Sequence, residues 1–312
     1  MISVIAGGVG AARYLKALLE VVPGDEITAI VNTGDDTVFH GLHISPDIDT
    51  VVYTTSGAID AERGWGLGGE SWTAMESLAR YAPYGAPDWF NLGDRDLATH
   101  LWRTGQLRAG RTLTEITADL ALAWGLTIKV LPMTNDPVST FVKTVEPLTE
   151  SGELAFQEYF VKHRHGVAVS SVRFAGIESC TPGPDVLSTI ATASRIVIAP
   201  SNPIVSIGPV LDVPGVRDAL IARRSDVVAI SPIIAGAALK GPADRLLTEL
   251  GHESSALGIA RLYAPFAGTL VIDTLDADLA PAIEALGLRC IVTDTIMSQP
   301  GVAASLATAT LS

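Results

Sequence analysis

Two cysteines in 312 residues, Cys180 and Cys290, are too few and too far apart for a disulfide framework or a zinc site. They read as reduced, largely buried thiols. Charged residues are also sparse, 18% against 48% hydrophobic, which excludes a disordered chain and leaves ample material for a buried core. Positive charge is the scarcer sign: 21 Lys and Arg stand against 34 Asp and Glu, a net charge of −13. Such a balance argues against a nucleic-acid-binding surface, which needs clustered basic side chains. It leaves room for a small phosphate ligand, which needs only a few local donors or a metal. No window reaches the roughly 18 continuous apolar residues of a membrane span. The N-terminus lacks the basic and long apolar regions of a signal peptide. We therefore expect a cytoplasmic protein that binds neither nucleic acid nor membrane. His40, His43, His100, His163, His165 and His252 show no HExxH or comparable metal spacing and read as structural or incidental. There is no Gly-x-Ser-x-Gly elbow and no Gly-Lys-Ser/Thr phosphate loop.

What is present is a strand–helix–strand pattern. Ile2–Ala6 is a short β-rich run ending in Gly7-Gly8-Val9-Gly10, and apolar residues then recur at positions 14, 15, 18, 19 and 22 with helical spacing. Pro23-Gly24 stops that helix, and Ile27–Val31 reads as a second buried strand. This βαβ unit predicts a parallel sheet with a right-handed crossover. Residues from about 55 to 127 read as a mainly helical insertion, in which Thr112 and Glu115 form a capping box ahead of an amphipathic helix to Leu126. Ile128–Leu131 is another strand, and residues from about 140 to 182 read as a small β-containing excursion. The strand–loop–helix pattern returns at Arg195–Ala199, Val227–Ile230, Leu270–Asp273 and Arg289–Val292. The expected fold is α/β: one Rossmann-like domain over residues 1–312, its mostly parallel sheet covered by helices on both faces.

Four segments can carry chemistry. Gly7–Arg13 lies between strand and helix, where glycines allow close backbone approach and free helix N–H groups face an anion. Its third dinucleotide-fingerprint position holds Arg13 rather than glycine, so a tight structural turn remains the alternative. Asp35, Asp36, Asp47 and Asp49 place four carboxylates within fifteen residues, on what read as loops at the C-terminal edge of the sheet. Carboxylates so crowded are costly unless a cation neutralises them, and Mg²⁺ typically takes one or two carboxylates plus substrate phosphates. A solvated acidic loop is the alternative. Asn91-Leu92-Gly93-Asp94-Arg95-Asp96 offers Arg95 to a phosphate or carboxylate, with Trp89 and Phe90 as a surface for a flat ring. A structural ion-pair cluster explains it equally well. Finally, Ser201, Asn202, Ser206 and Gly208 follow one strand, and Lys240 follows another; these can meet phosphate or nucleoside hydroxyls.

Taken together, Gly-Gly-Val-Gly at 7–10, Val-Asn-Thr-Gly-Asp-Asp at 31–36, Ser-Pro-Asp-Ile-Asp-Thr at 45–50, Leu-Gly-Asp-Arg-Asp at 92–96 and Pro-Ser-Asn-Pro-Ile-Val-Ser-Ile-Gly-Pro at 200–209 resemble the 2-phospho-L-lactate/phosphoenolpyruvate transferase family of coenzyme F420 biosynthesis. The resemblance runs in order from residue 1 to about 300. It implies a Mg²⁺-dependent, homodimeric enzyme that moves a phospho-three-carbon-acid group from its guanosine diphosphate ester to the deazaflavin alcohol Fo, releasing GMP. The residues it implies are Asp36, Asp47 and Asp49 for catalysis, the last two as metal ligands; Asp49, Asn32, Asn91 and Arg95 for Fo; and Gly7, Gly8, Gly10, Arg13, Ser201, Asn202, Ser206, Gly208 and Lys240 for the nucleotide. A related family of nucleotide-sugar-binding regulators shares the glycine turn and an acidic second loop, and is the alternative without turnover. A nicotinamide dehydrogenase is disfavoured by the missing third glycine and by the lack of an acidic residue at the end of the second strand.

Overall fold

A computed structural model describes residues 1–85, 87 and 89–312. Its strands are β1 (Ile2–Ala6), β2 (Ile27–Val31), β3 (Thr37–Phe39), β4 (Leu42–Ile44), β5 (Lys129–Pro132), β6 (Ser139–Thr144), β7 (Glu153–Ala155) and β8 (Val169–Ala175). They continue as β9 (Arg195–Ile198), β10 (Val227–Ile230), β11 (Ile233–Ile234), β12 (Ala237–Ala238), β13 (Thr269–Ile272) and β14 (Arg289–Val292). Seven of them form one sheet in the order β14-β13-β10-β9-β1-β2-β5, every neighbouring pair parallel. β1 and β2 are buried along their whole length, as strands covered on both faces must be. Alternate residues feed two cores: Ile5 faces one, while Val4 and Ala6 face the other.

The helices are α1 (Gly8–Leu18), α2 (Pro46–Thr55), α3 (Thr73–Leu78), α4 (Asp94–Arg108), α5 (Leu113–Ala123) and α6 (Val186–Thr192). After them come α7 (Gly208–Asp212), α8 (Val216–Ala222), α9 (Ala243–Glu249), α10 (Ala256–Tyr263), α11 (Ala280–Glu284) and α12 (Val302–Leu311). On one face of the sheet Leu15 of α1, Val52 of α2, Leu120 of α5 and Leu306 of α12 share a core with Val4. On the other, Ile190 of α6, Leu220 of α8, Ile259 of α10 and Ile283 of α11 pack with Ile5. The expected Thr112 capping box is present: its hydroxyl accepts from Glu115 N–H at 3.3 Å, and Glu115 accepts from Thr112 N–H at 2.8 Å. The excursion after β5 is a three-stranded antiparallel sheet, β7-β6-β8. No helix among the described residues is long and apolar enough to cross a membrane.

Two elements depart from the sequence reading. β3 and β4 form a hairpin that the sequence pattern did not signal, turned by His40 and Gly41, both at positive φ. More important, Pro46–Thr50 is not a loop but the opening of α2. Proline suits the first helical turn, where its missing N–H has no partner to lose, and Asp47 and Asp49 suit the positive end of the helix dipole. Val51, Val52 and Tyr53 then bury against α1.

Candidate functional site

Strand order locates the site. The chain starts at β1 in the middle of the sheet, builds outward through β2 to β5, then returns to β9 on the other side of β1 and builds outward again to β14. The connections after β1 and β9 thus run to opposite sides of the sheet, and the switch point between them lies at its C-terminal edge, where open α/β sheets bind ligands. A cleft of about 720 Å³ opens there, lined by Gly7, Gly8, Gly10, Arg13, Ser201 and Ser206 among others. That volume suits a drug-sized or nucleotide-sized ligand.

The glycines are required for two different reasons. A Cβ on Gly10 would lie 2.1 Å from the Pro200 carbonyl oxygen, and one on Gly7 would lie 2.8 Å from Ser206 Cβ and carbonyl oxygen. Gly8 instead adopts φ +67, a left-handed backbone. The β1 and β9 loops are therefore pressed together. Ser201 ties them: its hydroxyl donates to the Gly7 carbonyl and accepts from Ala11 N–H at 3.1 Å. Asn202 caps the turn after it, accepting from Ile204 and Val205 N–H at 2.9 and 3.3 Å.

Against this wall lie the carboxylates. Asp47 accepts from Asn32 Nδ2 at 2.9 Å, and its carboxylate also takes the Gly8 N–H. Burial pushes Asp47 up to about 7; those two hydrogen bonds oppose the shift and Asp36 adds to it. Asp35, on the cleft wall, is likewise raised well above the carboxylate range, first by burial and then by the charge of Asp47. Its Oδ1 is buried without a hydrogen-bond partner among the described residues. Asp36 is raised by burial, but Ser45 donates to it at 2.6 Å and His43 lies at 3.0 Å. It braces the β3–β4 hairpin behind the cleft and is not part of its lining. Asn32 is also behind the lining, spanning Asp47 and, at 2.8 Å, the Gly34 N–H.

Asp49 lies in other company. On a helix, side chains two apart do not face each other, so Asp47 and Asp49, which would converge on a loop, point apart on α2. Both Asp49 oxygens are held by the guanidinium of Arg103, Nη1 donating at 3.0 Å, and this pair is buried. The Asp49 carboxylate outweighs the burial that works against the Arg103 charge. His100 Nδ1 stands 3.8 Å from Asp49, and its Nε2 stands 3.3 Å from Asp96. Asp96 accepts from the Tyr53 hydroxyl at 2.7 Å. Burial favours a raised Asp96, but His100, Tyr53 and Arg103 outweigh it and hold the group below its ordinary value. Among the described residues, Asp49, Asp96 and His100 form the one group of three with the spacing to hold a metal ion. A cation there would compete with Arg103 for Asp49, and a His-bearing set suits transition metals better than Mg²⁺.

Sequence reasoning counted Asp35 among the candidate carboxylates without giving it a role, and missed Asp96, His100 and Arg103 as members of this site. The last three fall at i, i+4 and i+7 along α4, the positions where an apolar stripe would normally face a core. Charged residues on that stripe were the available signal. Of the other expected residues, Asn91 and Lys240 lie on the cleft rim. Arg95 does not line the cleft; its guanidinium donates to the Gly68 carbonyl at 2.6 Å. Gly208 faces the opposite side of its loop, where a Cβ would meet Phe174 and the Pro203 carbonyl, both at 3.3 Å.

Residues 2–302 match the family described as 2-phospho-L-lactate transferase CofD. The phosphoenolpyruvate transferase of Nocardia farcinica is 43% identical, covering 94% of this chain and 90% of its own. That of Streptomyces griseus is 43% identical over 98% of this chain and 96% of its own, and that of Mycolicibacterium smegmatis is 39% identical over 99% and 97%. A solved UPF0052-family protein from Bacillus halodurans shares the fold, with a TM-score of 0.62 and 16% identity over 100% of this chain and 99% of that one. The chain belongs to the 2-phospho-L-lactate transferase CofD family, transferases of coenzyme F420 biosynthesis.

Proposed function

We propose that the protein is a cytoplasmic, homodimeric transferase that moves a phosphoenolpyruvyl group from its guanosine diphosphate ester to the ribityl hydroxyl of Fo. The observation that carries this reading is a single cleft in which a nucleotide-type glycine wall meets buried carboxylates that have no cationic partner among the described residues. The choice of phosphoenolpyruvate over phospholactate follows the names of the relatives at 39–43% identity.

In the reaction the hydroxyl oxygen of the acceptor bonds to the phosphorus that carries the acid, the bridging bond to GMP breaks, and the hydroxyl proton passes to a carboxylate. Such a transfer asks the protein mainly for positioning and charge neutralisation. Two buried carboxylates with raised affinity for a proton and no cationic partner among the described residues, Asp35 and Asp47, fit a hard divalent cation. Mg²⁺ bound there would neutralise the diphosphate. Of the two α2 carboxylates, Asp47 is the one free for that cation, while Asp49, fixed by Arg103, orients the acceptor. Gly8, Arg13 and Ser206 hold the nucleotide side. Asp36 acts from behind, through Ser45 and His43, which set the entry to α2.

The test is to supply Fo, Mg²⁺ and each candidate guanosine diphosphate ester, and to identify the product by mass. The reading predicts a phosphodiester adduct of Fo with the phosphoenolpyruvyl donor, together with GMP. No adduct with any donor would refute it. Molar mass by light scattering checks the dimer.

A further inference from the structure

We infer that Trp65 is the stacking surface for the planar ring of the acceptor, an inference that rests on the transferase reading above. Trp65 lies at the tip of a turn, Asp60–Gly66, within the connection between α2 and α3, on the cleft wall, and is 43% exposed. Gly64 and Gly66 on either side of it have φ +77 and +66. The loop closes on itself through Gly64 N–H to the Asp60 carbonyl at 2.8 Å and Asp60 N–H to the Gly66 carbonyl at 3.1 Å. Two left-handed glycines and a closed turn thus push a large apolar ring out into the cleft. Its position on the cleft wall, more than its exposure, makes the indole a face on which a flat ligand can settle.

The ring is braced rather than loose. The Arg63 guanidinium lies 5.3 Å from the Trp65 ring and 5.1 Å from the Trp72 ring, and the two indoles meet edge-on at 5.9 Å. Arg63 in turn is held by Asp60 and Glu70, each at 3.2 Å, and by the Leu67 carbonyl at 2.9 Å. Moving Trp65 would therefore break several contacts at once. A preorganised aromatic face loses little entropy when a flat ligand settles on it.

Which flat ring it meets follows from what the loop is anchored to. Glu70 receives the Leu67 N–H at 2.9 Å and the Asp96 N–H at 3.3 Å, Arg95 donates to the Gly68 carbonyl at 2.6 Å, and Asp94 N–H donates to the Ser71 carbonyl at 2.9 Å. The loop is bolted to the start of α4, the helix that brings His100 and Arg103 to Asp49. It shares that wall, and not the wall built by the β1 and β9 loops. A positive group borders the tip: a Cβ on Gly64 would lie 3.5 Å from Lys240 Nζ. An ammonium beside the stack suits a ring with an acidic hydroxyl, which the 8-hydroxy-deazaflavin has and neutral guanine lacks.

The experiment is a fluorescence titration of Fo with wild type, Trp65→Ala and Trp65→Phe enzyme at fixed Mg²⁺, paired with KM values for both substrates. Stacking predicts about 10- to 100-fold weaker Fo binding in Trp65→Ala, most of it restored in Trp65→Phe, with the donor KM within about twofold of wild type. Unchanged Fo affinity in a folded Trp65→Ala enzyme overturns the assignment and leaves the transferase reading standing. A rise in donor KM with Fo affinity intact also overturns it and places guanine on the ring. If wild type itself does not bind Fo, the transferase reading fails and the assignment goes with it.

Discussion

Asp47 and Asp49 are two residues apart on the first turn of α2, equally buried, and opposite in circumstance. Asp47 meets a neutral amide and a backbone N–H, with Asp35 and Asp36 nearby, and is pushed up to about 7. Asp49 meets a buried guanidinium in a two-pronged pair. The first side of the cleft keeps negative charge uncompensated and so is ready for a cation or a proton. The second has its charge balanced inside the protein and so can only hold a shape. One helical turn thus supplies both an electrostatic and a positioning function, because its period sends neighbouring side chains to different walls.

Breaking the compensated side should have the largest effect. Arg103→Leu leaves Asp49 buried without a partner, and such a loss costs about 3–5 kcal/mol. Chemical denaturation should show that drop, and activity should fall because Asp49 is no longer fixed. If stability stays within about 1 kcal/mol of wild type, the pair is not the clamp described.

On the uncompensated side the outcome should invert. Asp47→Asn removes charge where charge is unsupported, so stability should hold or rise at pH 8 without metal, while kcat falls about 10²- to 10³-fold through lost charge neutralisation. Steady-state rates at saturating Mg²⁺ check this. The same contrast has a pH signature. Asp47 has its value of about 7, against an ordinary 3.8, only in the folded chain. Between those values the folded protein holds a proton that the unfolded one has lost, so its stabilising effect is complete below about pH 4 and disappears as pH rises through about 7. Metal-free wild type should therefore lose stability relative to Asp47→Asn between about pH 4 and 7; a flat difference would contradict the shift.

Smaller effects probe the glycine wall and the scaffold. Gly10→Ala forces a Cβ to within 2.1 Å of the Pro200 carbonyl, which should cost about 1–3 kcal/mol and weaken donor use by separating the β1 and β9 loops. Donor KM and melting temperature report both. Thr112→Ala removes the capping box far from the cleft and should cost about 1 kcal/mol with kcat unchanged.

Much of this was readable in the chain. Ile2–Ala6 and Ile27–Val31 announce a buried parallel pair, because continuous β-branched runs between glycine and proline breaks have few other uses. The return of the same pattern near Arg195 and Val227 gives the second half of the sheet, and the family resemblance proved true over residues 2–302. Strand order was not readable, since nothing local tells β9 to pair with β1 rather than β5, and the crevice depends on that order. Nor was the split between Asp47 and Asp49, because Ser45-Pro46-Asp47 reads as a turn until Val51 and Val52 find α1 to pack against. Arg103 lay hidden because its partner is 54 residues distant.

The division of labour is tested most directly by Mn²⁺ binding, followed by electron paramagnetic resonance in the presence of GDP, in wild type, Asp47→Asn and Asp49→Asn. The account predicts that Asp47→Asn weakens Mn²⁺ binding by about tenfold or more, while Asp49→Asn binds the ion like wild type and loses Fo affinity instead. Loss of the ion in Asp49→Asn with normal binding in Asp47→Asn would contradict it.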